Sequence, residues 1–408
     1  GGGCGYPSGV GGNGGGAIKL EASGILDNSG VISADGNSGT TNTNAGPGSG
    51  GSIWVICGTL QGNGSFSSKG GMGSPVNNYL GSGGGGGGRI SLQPTNYDTY
   101  AGNIIVSGAR GGYGGGTGTL VRDAALSLGT VTISGTVTWT KGTHTFKELI
   151  ISPGAILTTG EAVAGVWSYV GSGVGLGPGI GGYFGAGGAG HAGAGRAGYS
   201  SAGGSAYDSD GSQTTAPTDM GSSGGGTGNG PSGNNLSGYG GGALKIDVSS
   251  GTLTNNGTIS VSGGSAPSGG NGGAGGAGGG SLWIIANNLS GSGTYLAQGG
   301  SGVVHVNGGG AGSGGRIAIY YVLGSDPTAL TNVSGGATGY QSLAGPAGTV
   351  NVAQVANVPV INLSQYQKDG ITPIGIGGAS NSQYAVFKLI MTAASQQTLT
   401  PQVEVKEA

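Results

Sequence analysis

The sequence predicts an all-β protein: a parallel β-solenoid or β-helix-like stack with ordered polyglycine segments, plus a small β-sandwich-like C-terminal part. Three observations support this fold class. The chain repeats at two length scales, its apolar residues alternate in short stretches, and no helical periodicity of useful length occurs. Because one repeat is too small to bury its own apolar face, neighbouring repeats must stack.

The composition is unusual for a folded protein. Glycine supplies 107 of the 408 residues, and charged residues make up only 7%. A glycine content of this size is typical of disordered chains, but disorder would not keep apolar positions in register from repeat to repeat. The net charge of -2 gives no footprint for nucleic acid, and no apolar run has the length of a membrane span. We therefore expect neither a nucleic-acid partner nor a membrane span.

A large repeat divides the chain. "AIKLEAS" at 17–23 returns as "ALKIDVS" at 243–249, "GSIWVI" returns as "GSLWII", and "GGRISL" returns as "GGRIAI", with shifts of 226 to 229 residues. These matches define a first glycine-rich β repeat module at 1–125 and a second at 224–356. The chain begins at Gly1 inside a glycine run, which is typical of a mature product or of a segment of a longer protein.

A finer repeat lies inside each module. A glycine cluster precedes an alternating strand, and strands open every 35 to 38 residues, at Ile18, Ile53, Ile90, Leu244, Leu282 and Ile317. In "IKLEA" the alternation places Ile18 and Leu20 on one face and Lys19 and Glu21 on the other. Glycines at the turns are expected to supply positive φ angles.

The remaining segments differ in composition. Residues 126–165 are rich in Val, Thr and Ile, and they predict three or four connecting strands. Residues 166–223 form a Gly/Ser/Tyr-rich segment without a clear period, for which a mobile loop and a bundle of glycine helices remain open. Residues 357–408 predict four strands that resemble part of an immunoglobulin-like domain. The domain is partial, because a complete sandwich needs about 100 residues.

The glycine runs keep their place in the repeat. "GGGGGGRI" at 83–90 returns as "GGGAGSGGRI" at 308–317, ahead of the same strand. A flexible linker has no reason to keep its arginine and its position. We therefore expect these runs to be ordered, with extended polyglycine segments hydrogen-bonded side by side.

These motifs resemble glycine-rich repeat β-solenoid proteins of bacterial and archaeal cell surfaces. "GSIWV" and "GGRIAIY" after glycine runs carry the resemblance over about 1–125 and 224–352, and the C-terminal part resembles the opening half of an immunoglobulin-like domain. The resemblance implies an extracellular or cell-surface location and a structural or adhesive role. It implies no catalytic residues.

Residues with catalytic or metal-binding chemistry are sparse. Only 15 acids occur in the chain, and the closest grouping is Asp208 and Asp210 in "YDSDGS", a partial match to a calcium loop without its remaining ligands. A solvated turn explains it better than Ca2+ does, and we expect no cofactor and no enzyme. His144, His191 and His305 are far apart, and a surface loop is the plain explanation of His191.

Several residues are matched or clustered in other ways. Trp54 matches Trp283 and Arg89 matches Arg316, which favours a structural role over a sugar-binding ladder. Cys4 and Cys57 both lie in the first module, so a disulfide and two inert thiols are both open. The candidate ligand-contact aromatics of the Gly/Ser/Tyr-rich segment are Tyr169, Tyr183, Tyr199 and Tyr207.

The sequence thus predicts an extracellular structural protein. We expect a self-associating subunit of a surface filament, sheath or fibrous adhesin, with strand donation by the C-terminal domain as an assembly route. A carbohydrate-binding adhesin or tail-fibre-like module that binds surface glycans is the alternative. A polysaccharide-cleaving β-helix enzyme ranks below both.

Overall fold

We describe a computed structural model of the 408-residue chain. It describes residues 1–3, 9–40, 45–73, 82–122, 129–163, 186–226, 236–267, 273–304, 307–337 and 339–355, and the backbone of three strands between 360 and 392. The chain divides into two compact units, Gly1–Gln354 and Val355–Ala408. The described residues contain strands and two short 3-10 turns, Thr328–Leu330 and Tyr340–Ser342, and no α-helix. The all-β prediction is confirmed.

The first module, called the first copy below, contributes two parallel sheets. The larger sheet is four-stranded, with the strands β1 (Ala17–Asp27), β3 (Ser52–Gln61), β5 (Arg89–Asp98) and β7 (Thr119–Arg122) in that order. The smaller sheet is three-stranded, with β2 (Val31–Ser33), β4 (Ser65–Ser67) and β6 (Asn103–Ile105). Successive strands of one sheet are therefore one repeat apart.

Five short strands connect the two modules, where the sequence predicted three or four. They are β8 (Thr130–Ile133), β9 (Thr136–Thr138), β10 (Gly142–Thr145), β11 (Glu148–Ile151) and β12 (Ile156–Thr158). The division is finer than predicted because turns at glycines interrupt the Val/Thr/Ile-rich stretch, and Gly142 and Gly154 there have φ of 121° and 76°.

The second module, called the second copy below, forms two further parallel sheets together with the connecting strands. Its long strands are β13 (Ala243–Asn255), β15 (Ser281–Ser290), β17 (Arg316–Gly324) and β19 (Thr349–Gln354). They extend a seven-stranded sheet that includes β8, β10 and β11. Its short strands β14 (Thr258–Ser260), β16 (Thr294–Leu296) and β18 (Thr331–Asn332) join β9 and β12.

The register of the strands explains why the spacing between strands is nearly constant along the chain. In the first copy Ala17, Ser52, Arg89 and Thr119 lie side by side, and in the second copy Ala243, Ser281, Arg316 and Thr349 do the same. Equivalent side chains therefore form columns across the strands. An Ile104–Trp139 bridge links β6 of the first copy to the connecting strands.

The core lies between the larger and the smaller sheets. Inward residues such as Ile53, Val55 and Leu60 are fully buried together with Phe66 of the smaller sheet. Buried equivalents in the second copy are Leu282, Ile284, Leu289 and Tyr295. Alternation in the sequence thus separates a buried inner face from an outer face that carries Lys19 and Trp54.

Extended glycine segments build the rest of each repeat. Along 84–88, hydrogen bonds run in two directions: Gly84 and Gly87 donate to Tyr113 and Gly116 of the next repeat, at 2.6 and 2.9 Å. Gly85 and Gly88 donate to Gly71 and Ser68 of the same repeat, at 2.9 and 2.7 Å. The direction recurs every third residue, which is the period of the polyproline II helix.

Close approach of backbones explains why these positions are glycine. A Cβ at Gly84 or Gly87 would overlap the carbonyl oxygen of Ala109 or Val106, whereas a Cβ at Gly86 would lie 3.7 Å from its nearest neighbour. Positive φ is rare among the described glycines, and most of the seven that have it lie at turns between strands, as at Gly62 and Gly291. The glycine runs are therefore selected mainly for packing and only locally for turn geometry.

Residues 186–226, called the covering segment, form a further layer against the second copy. Ala186 and Ala189 donate to Gly273 and Gly276, both at 2.9 Å, and Gly204 donates to Gly188 at 2.8 Å within the layer. The described part of the Gly/Ser/Tyr-rich region therefore contains glycine segments that are hydrogen-bonded to one another and to the second copy.

The second unit contains one described sheet. Strands β20 (Val360–Tyr366), β21 (Pro373–Ile374) and β22 (Val386–Thr392) form an antiparallel sheet in the order β21–β20–β22. These positions match three of the four strands predicted in 357–408. The fourth predicted strand, 402–406, lies outside the described residues.

Candidate functional site

The repeat-matched tryptophans lie on the outer faces of the two copies. Lys19 lies over the ring of Trp54, with Nζ 4.8 Å from the ring centroid, and Lys245 lies 4.1 Å from the centroid of Trp283. Each lysine also approaches the acid two residues on, Glu21 at 2.8 Å and Asp247 at 3.9 Å. The two copies therefore present the same cation–π pair on their outer faces.

The indole nitrogens of the two tryptophans differ. Trp54 Nε1 donates to Gln93 Oε1 at 3.0 Å. In the second copy Tyr320 stands in the place of Gln93, and its hydroxyl donates to the carbonyl of Thr215 in the covering segment, at 2.8 Å. Trp283 Nε1 is buried, and no described residue accepts a hydrogen bond from it.

The repeat-matched arginines have different environments. Arg89 is exposed, whereas Arg316 is buried and donates to the carbonyls of Tyr207 and His191 in the covering segment. Burial lowers the pKa of Arg316, and the charges of Asp208 and Asp219 oppose this shift. The matched arginine is thus exposed on one copy and enclosed on the other.

A pocket of about 350 Å³ lies where the covering segment meets β13 and β15. Trp283, Lys245 and Lys141 line it from the strand side, and Thr218 and Met220 line it from the covering segment. Burial lowers the pKa of Lys141. An aromatic ring, two cations and a hydroxyl around an apolar wall are features of small-ligand pockets.

Two of the four candidate tyrosines can be placed. Tyr199 is exposed and packs edge-on against Tyr340, with centroids 5.8 Å apart. Tyr207 is largely enclosed, and its hydroxyl donates to the carbonyl of Met220. Because it is enclosed, burial raises its pKa to about 12. Tyr169 and Tyr183 lie outside the described residues.

The acidic loop around Asp208 and Asp210 is organised by hydrogen bonds within the chain. Asp208 accepts from the Gly211 amide at 2.7 Å, and Asp210 accepts from the Ser212 amide and hydroxyl at 2.9 and 2.7 Å. The buried Gln213 amide oxygen accepts from the Thr218 amide at 2.7 Å. No group of three or more His, Cys, Asp or Glu that could hold a metal ion occurs among the described residues.

His191 corrects the prediction of a surface loop. It is fully buried, because the covering segment packs on the second copy, and its Nδ1 lies 2.5 Å from the Gly279 carbonyl. Burial, with Arg316 nearby, lowers its pKa to about 3. His144 is also buried and stacks on Trp139, with centroids 4.4 Å apart. His305 lies outside the described residues.

A buried ion pair was missed by the sequence reasoning. Arg122 Nε and Nη2 donate to the two carboxylate oxygens of Asp98, each at 2.6 Å, and both side chains are 2% exposed. Arg122 occupies an inward position beside Leu92, where alternation predicts an apolar residue. The only sign of this ion pair in the sequence is a charged residue at a strand position where the alternation places an inward, apolar side chain.

Cys57 lies at an inward position and carries a buried free thiol. Burial, with the charge of Asp98 nearby, raises the pKa of this thiol to about 11. Cys4 lies outside the described residues, so the Cys4–Cys57 disulfide stays a prediction.

Comparison with known proteins found no relative: no protein-family model, no curated protein and no solved structure matches the chain. Within the described residues, no helix has the length and apolar character needed to cross a membrane.

Proposed function

We propose that the protein is an extracellular structural protein, a parallel β-solenoid that serves as a subunit of a surface filament, sheath or fibrous adhesin. One observation carries this proposal: parallel strands in register run from β1 to β7 and again from β8 to β19, and the first and last of these strands, β1 and β19, leave inward residues partly exposed. The proposal assigns no catalytic role to the chain.

Inward residues of the first and last strands are only partly buried, whereas the equivalent residues of the inner strands are fully buried. Ile18 and Leu20 of β1 are only partly buried, although Ile53 and Val55 beside them are fully buried. At the other end Val350 of β19 is 37% exposed. Stacked-repeat proteins ordinarily close such ends with polar capping repeats.

Open ends of a parallel stack favour linear assembly. The outer edge of each terminal strand carries both unpaired amides and unpaired carbonyls, so the two ends can pair with each other, and repeated head-to-tail contact that does not close into a ring produces an open filament. Strand exchange through the antiparallel sheet of β20, β21 and β22 is a second assembly route, since an unpaired edge strand accepts a strand from a neighbour. Low charge weakens long-range repulsion between copies.

Negative-stain microscopy of the purified chain tests the proposal. We expect fibres from the wild type and short or no fibres from Leu20→Glu, because a carboxylate at the open core end opposes stacking. Tyr97→Ser, an exposed change on the inner strand β5, is the control that should leave fibres unchanged. A chain that remains monomeric under all assembly conditions would contradict the proposal, and loss of fibres after deletion of residues 359–408 would assign assembly to strand donation.

A carbohydrate-binding adhesin is the second candidate, and the pocket beside Trp283 favours it. Its ring, Lys245 and Lys141 provide a stacking surface and cations for a sugar that carries an acidic group. A glycan array compared between the wild type and Trp283→Ala tests this candidate. Binding that is equal in both proteins would remove the pocket from consideration.

A further inference from the structure

The covering segment binds the second copy through outward-pointing amides of the glycine rows. Gly310 and Ser313 donate to Ala186 and Ala189, at 2.8 and 2.9 Å. Their neighbours in the row bond within the repeats, as Gly312 does to Gly300 at 2.9 Å. Every third amide of this row therefore points at the covering segment.

The equivalent amides of the first copy are unpaired. Gly83 and Gly86 correspond to Gly310 and Ser313 by the shift of 227 residues that relates Arg89 to Arg316. Within the part of the chain that the structure describes, no carbonyl accepts from Gly83, Gly86 or Ser49. The first copy thus presents the same row of donors, and none of the described residues accepts from them.

The side chains around this row also correspond. Ser52 and Arg89 line a groove of about 370 Å³ on the first copy, with Thr117 and Thr119 on its far side. In the second copy the equivalent Ser281 and Arg316 lie beneath the covering segment, and Ser281 Oγ donates to the carbonyl of Asp219 at 2.6 Å. The groove thus carries the serine and the arginine that contact the covering segment in the other copy.

The opening glycines of the two modules lie at the same edge of the two glycine faces. Gly46 donates to Gly3 at 2.9 Å, and the equivalent Gly275 donates to Gly225 of the covering segment, also at 2.9 Å. Residues 1–3 therefore occupy the place that 224–226 occupy on the second copy. Beyond this edge, no acceptor among the described residues pairs with the amides of Ser49, Gly83 and Gly86.

We propose that the outer glycine face of the first copy, formed by Ser49, Ser52, Gly83, Gly86 and Arg89, binds an extended glycine-rich polypeptide segment that carries an aspartate and is supplied by a partner molecule. Extended glycine backbones supply carbonyls for the amides of Gly83, Gly86 and Ser49. An aspartate supplies the charge that Asp208 and Asp219 supply to Arg316. The inference does not depend on filament formation.

A synthetic peptide of residues 186–223 is the probe, because this sequence occupies the equivalent face. Fluorescence anisotropy of the labelled peptide with the full chain should show saturable binding. Gly86→Leu should weaken it about tenfold or more, because the side chain holds the segment off the amides. Gly86→Ser is the matched control and should retain binding, since Ser313 stands at that position under the covering segment.

Three results would overturn the proposal. They are absence of binding at about millimolar peptide, equal binding to Gly86→Leu and wild type, and equal binding of a peptide carrying Gly188→Val, whose side chain would overlap the carbonyl of Ala311 in the equivalent contact. Thermal melting is the check that Gly86→Leu folds, which we expect because the nearest atom to a Cβ at this position lies 3.7 Å away. Concentration-dependent self-association that peptide fails to compete, and that Gly86→Leu abolishes, would assign the face to a second copy instead.

Discussion

The two copies share one framework and differ in what lies on it. Both carry the lysine–tryptophan pair, the same strand register and the same threefold hydrogen-bonding of glycine rows. The second copy is covered by residues 186–226, whereas the outward row of the first copy is open. The comparison teaches that glycine at an outward position is required only where another backbone packs on it.

The largest expected effect concerns a core difference between the copies. Arg122 fills an inward column position where the second copy has Val352, and Asp98 pairs with it. Asp98→Ala should lower the free energy of unfolding by about 3–5 kcal/mol, because it leaves a buried charge unpaired. Chemical denaturation measures this change in the free energy of unfolding.

The matched control for the ion pair is the double variant Asp98→Ala, Arg122→Val, which copies the apolar column of the second copy. It should recover most of the loss, since removing both charges also removes their desolvation cost. A double variant as unstable as the single one would show that packing, and not the unpaired charge, sets the cost.

Outward glycines provide the next test. A Cβ at Gly310 would overlap the carbonyl of Arg196, whereas a Cβ at Gly83 would lie 3.5 Å from Tyr113. Gly310→Ala should destabilise by about 2–3 kcal/mol, and Gly83→Ala should stay within about 0.5 kcal/mol of the wild type. The denaturation midpoints of the two variants measure these differences in stability. Equal losses of stability would show that the covering segment does not constrain the glycine row.

Acid should weaken the chain through its two described histidines. Burial first, and then Arg316 and Arg122, hold the pKa of His191 at about 3 and that of His144 well below its usual value. Below about pH 6.5 the unfolded state binds protons that the folded state does not, so stability falls as the pH falls. From pH 7.5 to 5.5 we expect a loss of about 1.4 kcal/mol per histidine.

The variant His191→Gln should remove about half of this pH dependence, because only His144 then remains buried and neutral. Denaturation at the two pH values measures the slope. An unchanged slope would show that His191 is accessible to protons and that the covering segment opens readily. The carboxylates with lowered pKa, such as Asp210 and Asp326, lose their contribution only below about pH 4.

The smallest expected effect concerns Cys57, whose position is taken by Ala286 in the second copy. Cys57→Ala should cost about 1 kcal/mol, since it removes one buried sulfur atom. The raised pKa of this thiol should make it unreactive towards maleimide at pH 8 in the folded chain. Rapid labelling of folded protein would place the thiol at the surface.

The sequence repeats predicted the strands, because the burial of a strand depends on which side chains alternate along it. The alternation in "IKLEA" and the recurrence of "GGRI" identified β1 and β5, their parallel order and the ordered glycine rows. The covering segment and the burial of His191 could not be predicted, since the backbone amides and carbonyls that place it are the same for every residue type. The Asp98–Arg122 pair was missed because its partners lie 24 residues apart.

Amide hydrogen exchange along the glycine rows tests the central claim most directly. In the free chain, the amides of Gly84, Gly85, Gly87 and Gly88 should exchange slowly and those of Gly83 and Gly86 quickly, whereas Gly310 and Ser313 should be protected like their neighbours. Uniformly rapid exchange across 83–88, or equal protection of Gly86 and Ser313, would contradict the account.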